Sequence, residues 1–247
     1  MIIRYYEHLV STNETARAAA IAGAPAFYTV VANSQSGGVG RMGRRFASPE
    51  GGTYFSTVLR PQLPREKFGA ITPFCAVAVH RAIAELMGVS PQIKWINDLL
   101  WQGKKACGIL ATSGEDQNSE PFVILGIGIN TGKGNLPPEL ADIATCLPFE
   151  NRPRLVERIL FYLQNFEKEI LACTWLSYYR THSACLGRDV TVIQNGSSAV
   201  ATALDIDQDG GLLVAYQSGA REVLRGGEIS LRLSHTELTH KSCGDKF

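Results

Sequence analysis

The segment Gln35-Ser36-Gly37-Gly38-Val39-Gly40-Arg41-Met42-Gly43-Arg44-Arg45-Phe46 combines four glycines with three arginines. Glycines let a backbone turn sharply and approach a ligand, and guanidinium groups offer paired donors to phosphate oxygens, so the segment suits a mononucleotide. It matches neither the phosphate loop that ends in Gly-Lys-Ser/Thr nor the dinucleotide fingerprint. A second segment, Lys94-Trp95-Ile96-Asn97-Asp98-Leu99-Leu100, is followed by Lys104-Lys105-Ala106-Cys107-Gly108-Ile109-Leu110. A lysine on a strand that also carries a close-approach glycine can set a rigid positive charge against a carboxylate or an α-phosphate, and Asp98 could assist a metal. A third, Gly126-Ile127-Gly128-Ile129-Asn130, reads as a strand whose glycines leave room for a narrow apolar ligand. Taken singly, each has a plainer reading: a solvated basic loop, a hairpin with solvated lysines and a turn-opening aspartate, and a bulged core strand.

These segments need elements to hold them. Ser11 and Glu14 have the spacing of a capping box ahead of a helix over residues 15–22, which Gly23 closes. Residues 26–32 and 53–59 are rich in β-branched and aromatic types and read as strands, which leaves the Gly/Arg segment as a long loop between them. Residues 71–86 are apolar all round and stop at Gly88, as a helix buried against a sheet would. Strands are predicted over 92–96, 106–112 and 122–129, with turns at 102–103 and 114–119, and residues 155–171 carry apolar side chains at helical spacing. From Leu186 the texture changes to short alternating runs, 190–193, 199–206, 212–216 and 229–233. They are separated by Asn195-Gly196, Asp209-Gly210-Gly211 and Gly226-Gly227, the pattern of a small β-barrel. The expected architecture is α+β: a mixed sheet packed with helices over residues 1–184, a small β domain over 185–234, and a tail over 235–247.

Composition narrows the function classes. With 45% apolar and 19% charged residues the chain should fold, and a net charge of +1 gives no general attraction to nucleic acid or anionic membranes. The amino terminus lacks the unbroken apolar stretch of a secretory signal, and no apolar run approaches the roughly 20 residues of a membrane helix. Six dispersed cysteines without a Cys-x-x-Cys pair suggest reduced thiols in a cytoplasmic protein.

Together the segments resemble the biotin protein ligase family. Its pattern starts with Ser-Thr-Asn, here Ser11-Thr12-Asn13, and continues through a Gly-Arg-Gly-Arg-x-Gly-Arg loop, here Gly38 to Arg44. Lys-Trp-Pro-Asn-Asp-Leu follows, here Lys94 to Leu99, then Lys-x-x-Gly-Ile-Leu, here Lys105 to Leu110. A Gly-x-Gly-Ile-Asn strand, here Gly126 to Asn130, and Gly-Glu-Ile-Ser-Leu-Arg, here Gly227 to Arg232, complete it in the same order. The resemblance runs from about residue 5 to residue 233, and six motifs in register make coincidence an inadequate account.

The resemblance implies a catalytic domain like those of class II aminoacyl-tRNA synthetases and an SH3-like β-barrel behind it. It implies ATP-dependent formation of biotinyl-5'-AMP, with Mg²⁺ accompanying ATP, followed by transfer of biotin to a lysine of a biotin carboxyl carrier protein. Ser11, Thr12 and Gln35 would bind the ureido ring, the glycines of both strands would flank the tail, and Asn13, Gly38, Val39, Gly40, Gly108, Leu110, Gly126 and Gly128 would belong to the biotin site. Arg41 and Lys105 would hold the reacting carboxylate and α-phosphate, and Asp98 matches an aspartate the family needs for activity. Met42, Gly43, Arg44, Trp95, Asn97, Asn130 and Arg232 would lie on the nucleotide side. The metal ligands are not assigned, and a homodimer is left open.

Three positions depart from the pattern: Val39 replaces the first arginine of the loop, Ile96 a proline, and Val10 an aspartate that often precedes Ser-Thr-Asn. The nearest rival is a lipoate or octanoate ligase or transferase; another is a non-catalytic biotin sensor. A dithiolane or alkyl end would leave the polar groups of Ser11, Thr12 and Gln35 unsatisfied, at about 1 to 3 kcal/mol each. Many relatives carry an amino-terminal helix-turn-helix; Ser11 lies too close to Met1 for one here, so specific DNA binding is not expected.

Overall fold

A computed structural model describes residues 1–132, 136–194 and 196–231. Two compact units emerge, one of Met1–Ala184 with Gln208–Gly210, the other running from Cys185 to Asp207 and onward from Gly211. The fold is α+β.

In the first unit, β1 (Ile2–Leu9) and β2 (Tyr28–Gln35) run parallel, joined by α1 (Thr12–Ile21). Ala16 and Ala20 are fully buried and let the helix sit closely on Val30, Val58, Phe122 and Ile124. Ser11 is the residue before the helix, but its side chain makes no capping hydrogen bond, so the expected capping box does not form; Ser11 is instead buried beside the site described below. At the other end Gly23 adopts φ +89°, and Arg60 donates to Ala20 O and Ala24 O while pairing with Asp116 at 2.8 Å. A fixed cation at the carboxyl end of a helix complements its free carbonyls.

The remaining strands are β3 (Thr53–Leu59), β4 (Gln92–Lys94), β5 (Asp98–Trp101), β6 (Lys104–Glu115) and β7 (Pro121–Ile129), in the order β1-β2-β3-β7-β6-β5-β4. Every pair except β1–β2 is antiparallel. The expected strand over 92–96 is shorter, and β5 is an additional strand. Gln102 and Gly103 both have positive φ, as a two-residue hairpin between β5 and β6 requires. Between β3 and β4 in sequence, α2 (Ile71–Met87) packs under β4, β5 and β6 and ends at Gly88 in the left-handed conformation. With the preceding turn, Arg65–Met87 has the length and mean hydropathy of a membrane-crossing helix, although Lys67, Gly69, Pro73, Arg81 and Glu85 interrupt its apolar run. Buried alanine, valine, isoleucine and phenylalanine on nearly every side of α2 account for that composition here, since helices α3 (Arg152–Leu163), α4 (Phe166–Leu171) and α5 (Trp175–Thr181) also pack on it. The single helix expected over 155–171 is broken at Asn165, whose φ of −102° and ψ of 18° leave the helical range.

In the second unit, the described strands β8 (Asp189–Gln194), β9 (Ser197–Ile206), β10 (Leu212–Tyr216), β11 (Arg221–Leu224) and β12 (Glu228–Leu231) form an antiparallel sheet ordered β11-β10-β9-β8-β12. Val190, Val192, Ala203, Leu212, Val214 and Ile229 supply its apolar face. The last expected strand is described as far as Leu231; the tail over 235–247 lies outside the described residues.

Candidate active site

Alternate residues of a strand share one face. On β7 that face reads Phe122, Ile124, Gly126, Gly128: two large side chains buried at α1, then two glycines past its amino-terminal end. On β6, Leu110 pairs with Gly126 and Gly108 with Gly128, so a floor of three glycines opens beside Leu110. Protein groups already fill the space above it. A Cβ on Gly126 would collide with the Asn13 amide, and one on Gly128 would come 2.5 Å from the Phe46 ring. A Cβ on Gly108 would meet the same ring at 3.0 Å and Lys105 Cε at 3.1 Å. The room expected for a ligand's tail is therefore occupied by Asn13 and Phe46 in this structure.

One end of the floor is polar. Gln35, the last residue of β2, accepts through Oε1 from Thr12 N at 2.8 Å and Thr12 Oγ1 at 3.1 Å. Its Nε2 donates to Ser48 Oγ at 2.8 Å, and Ser48 donates to Phe46 O at 3.1 Å. Ser56 Oγ lies 2.8 Å from Thr12 Oγ1 and 2.9 Å from Asn13 Oδ1. Gly38 is packed against this group, where a Cβ would stand 2.5 Å from Phe46 O and 2.7 Å from Ser48 Oγ.

The other end is charged. Strict alternation would turn Lys105 away from Gly108, toward the α2 side with Cys107 and Ile109. A register shift in the β5–β6 pairing between Leu99 and Leu100 reverses this, in the way a bulge re-aims a side chain, and brings Lys105 onto the glycine face. Lys105 Nζ lies 2.7 Å from Asp98 Oδ1, a contact of charges rather than an aligned hydrogen bond, and 5.8 Å from the centre of the Phe46 ring. Its backbone is held by Ile143 O, Thr145 N and the Asn130 amide, whereas the neighbouring Lys104 is committed to Ala141 O at 2.6 Å. Asn130 is buried, and its Oδ1 has no hydrogen-bond partner among the described residues. Arg41 reaches in from the loop to Asn97 Oδ1 at 3.3 Å, and Asn97 is itself anchored by Nδ2 to Ile109 O at 3.0 Å. Burial, reinforced by the Asp98 charge, pushes the Cys107 thiol well up, and burial does the same to the Tyr54 phenol, so both stay protonated.

The Gly/Arg loop is a small hairpin. Gly40 N donates to Arg44 O at 2.7 Å and Phe46 N to Gly38 O at 2.8 Å, with Met42 and Gly43 at positive φ in the turn. Val39, Met42, Gly43 and Arg44 are exposed. Trp95 is buried, and its indole N–H donates to Gly210 O at 3.0 Å, so its side chain does not reach the exposed part of the site. Arg232 lies outside the described residues. The structure thus gathers Ser11, Thr12, Asn13, Gln35 and Gly38 at one end of the floor, and Arg41, Asn97, Asp98, Lys105 and Asn130 at the other. Phe46, Ser48 and Ser56 join them without a sequence signal of their own, since their roles depend on which strands meet.

Comparison with known proteins bears on this arrangement. The profile of the Biotin/lipoate A/B protein ligase family matches residues 8–130, and that of the Biotin protein ligase C terminal domain matches residues 185–232. The bifunctional ligase/repressor BirA of Bacillus subtilis (strain 168) is 33% identical over 234 residues, covering 89% of this chain and 71% of its own. The chain belongs to the biotin protein ligase family. A biotin--[acetyl-CoA-carboxylase] ligase of Mycobacterium tuberculosis is 30% identical over 239 residues, covering 90% of this chain and 86% of its own. Among solved structures, the biotin protein ligase from Aquifex aeolicus in complex with biotin and ATP superposes with a TM-score of 0.80 at 25% identity, over 94% of this chain and 99% of that one.

Proposed function

We propose that this biotin ligase family member activates biotin with ATP and transfers it to a lysine of a biotin carboxyl carrier protein. The observation that carries the reading is the glycine floor of β6 and β7 with a hydrogen-bonding group at one end and Lys105 at the other. A cyclic urea matches the first end, an apolar tail the floor, and a carboxylate the lysine. The names of the Mycobacterium tuberculosis relative and the Aquifex aeolicus complex support the same substrates.

In the first step the biotin carboxylate attacks the α-phosphorus of ATP and pyrophosphate leaves. In the second the carrier amine attacks the acyl carbon and AMP leaves. Both steps gather negative charge on oxygen, which Lys105 and Arg41 offset from fixed positions, and no covalent enzyme intermediate is required. Mg²⁺ would travel with ATP, bound chiefly by phosphate oxygens, and Asp98 is the carboxylate at hand. Among the described residues no group of three or more His, Cys, Asp or Glu forms a resident metal site. Cys75, Cys107 and Cys173 carry free thiols, which fits work in the reducing cytoplasm.

Biotin-dependent exchange of labelled pyrophosphate into ATP tests the first step, and mass spectrometry of a recombinant carrier domain after incubation with biotin and ATP tests the second. Exchange that responds to lipoate or octanoate but not to biotin would move the assignment to the lipoyl branch.

A further inference from the structure

Ser48 is not among the residues expected to touch biotin, yet it pairs with Gln35 across an isolated β-bridge and its hydroxyl joins that side chain to the backbone of Phe46. It is 5% exposed, accepts from Gln35 Nε2 at 2.8 Å and donates to Phe46 O at 3.1 Å. Because its one proton goes to a carbonyl, it can only accept from Gln35, and so requires that amide to present N–H. At the other end of the amide, Thr12 N is a donor at 2.8 Å and requires the oxygen.

Proton counting extends the chain. Thr12 and Ser56 have two hydroxyl protons for three contacts, to Gln35 Oε1, to each other and to the Asn13 amide. Ser56 donates to Asn13 Oδ1, so the one Thr12 hydroxyl proton is shared between Ser56 Oγ and Gln35 Oε1, while Thr12 N holds that oxygen throughout. The network links Asn13, Ser56, Thr12, Gln35, Ser48 and Phe46 O, and hydrogen bonds joined in this way polarise one another.

Resting on the proposed biotin ligase function, we infer that Ser48 is a positioning residue that fixes the amide of Gln35 and through it the recognition of the ureido ring. The chain leaves Gln35 one further N–H, a donor for a ring carbonyl, while Thr12 Oγ1 retains a lone pair for a ring N–H. Ser48 also ties this recognition to the backbone of Phe46, whose ring covers the floor that the acyl tail must use.

The test is pyrophosphate exchange against biotin concentration. Ser48→Ala should raise KM for biotin about 10-fold with kcat at saturating biotin within about 2-fold of wild type, the pattern of lost uniform binding. Ser48→Thr, which keeps the hydroxyl, should restore KM, and Ser48→Cys, which keeps the bulk but bonds poorly, should behave like Ser48→Ala and replaces it if that variant does not fold. In a Gln35→Ala background the Ser48→Ala effect should vanish, because Ser48 acts through Gln35. Wild-type KM in the Ala or Cys variant, or a full effect that persists without Gln35, overturns the positioning role while wild-type exchange leaves the ligase reading standing. No biotin-dependent exchange in the wild type overturns both.

Discussion

Asp98 begins β5 and Lys105 stands near the start of β6, and a register shift between the strands puts the lysine ammonium 2.7 Å from the carboxylate at the edge of the glycine floor. Without a ligand the lysine neutralises a neighbour. In the proposed reaction a short turn of its side chain would let it face the carboxylate and the triphosphate, and its clamped backbone limits what must reorganise.

Lys105→Ala should therefore lower single-turnover formation of biotinyl-5'-AMP by about 10² to 10³-fold, the range for loss of one preorganised donor. The side chain is 35% exposed and its loss leaves Asp98 unpaired, so the thermal midpoint should fall modestly while adenylation falls far more. Undiminished adenylation in the folded variant would remove Lys105 from the catalytic group.

Gly128→Ala tests the floor. The added methyl would stand 2.5 Å from the Phe46 ring and on the path of an acyl tail, while the β6–β7 hydrogen bonds need no side chain there. A rise in KM for biotin of at least about 10-fold is expected, with the sheet intact by circular dichroism; overpacking of a well-filled site costs about 1 to 3 kcal/mol. An unchanged KM would show that the tail runs elsewhere.

Some of this was legible in the residues. Gly88 marked the end of α2 because only a left-handed residue closes a helix there cheaply, and β3 was legible end to end because its β-branched and aromatic run has Gly51-Gly52 before it. β5 was not, since Asp98–Trp101 owes its pairing to β4 and β6 rather than to its own pattern, and α5 begins at Trp175 after Thr174, whose side chain makes no capping hydrogen bond. The motif glycines pointed to a floor, but not to Phe46 and Asn13 as its present occupants, because that depends on how the loop folds back. Ser48 and Ser56 are small polar residues in strand or loop, and only the approach of α1 to β3 and of the loop to β2 gives them partners.

His80 predicts acid sensitivity. It is fully buried in α2, with Tyr178 OH 2.9 Å from Nδ1, Ser90 Oγ 3.1 Å from Nε2, and the His182 ring 4.3 Å away. Burial first, then the charge of His182, lower its pKa to about 4, against an opposing backbone hydrogen bond at Pro91. The unfolded chain takes up this proton near pH 6.5 and the folded one only near 4, so stability is complete above that upper value and is lost as pH falls between them. The shift corresponds to about 3 kcal/mol at most. The thermal midpoint should fall between pH 6.5 and 4.5, less steeply in His80→Asn than in wild type; equal slopes would exclude His80 as the cause.

The Gly/Arg hairpin gives the last prediction. Its turn holds through Gly40 N to Arg44 O, Arg44 N to Arg41 O and Phe46 N to Gly38 O, and Arg44 and Arg45 are exposed. Local opening of an exposed surface hairpin costs less than opening of the sheet, whereas an adenylate beneath it would add a phosphate for the arginines and fill the floor. Part of the binding free energy would then go into holding the loop closed, and closure would keep water from the acyl anhydride. Trypsin should cut after Arg44 and Arg45 readily in the free protein and several-fold more slowly once biotin and ATP are both present. Protection should need both ligands, because the floor and the phosphate site are filled together only by the adenylate. Equal cleavage rates, with adenylate formation confirmed in the same sample, would mean that the hairpin neither opens for biotin nor closes on its product.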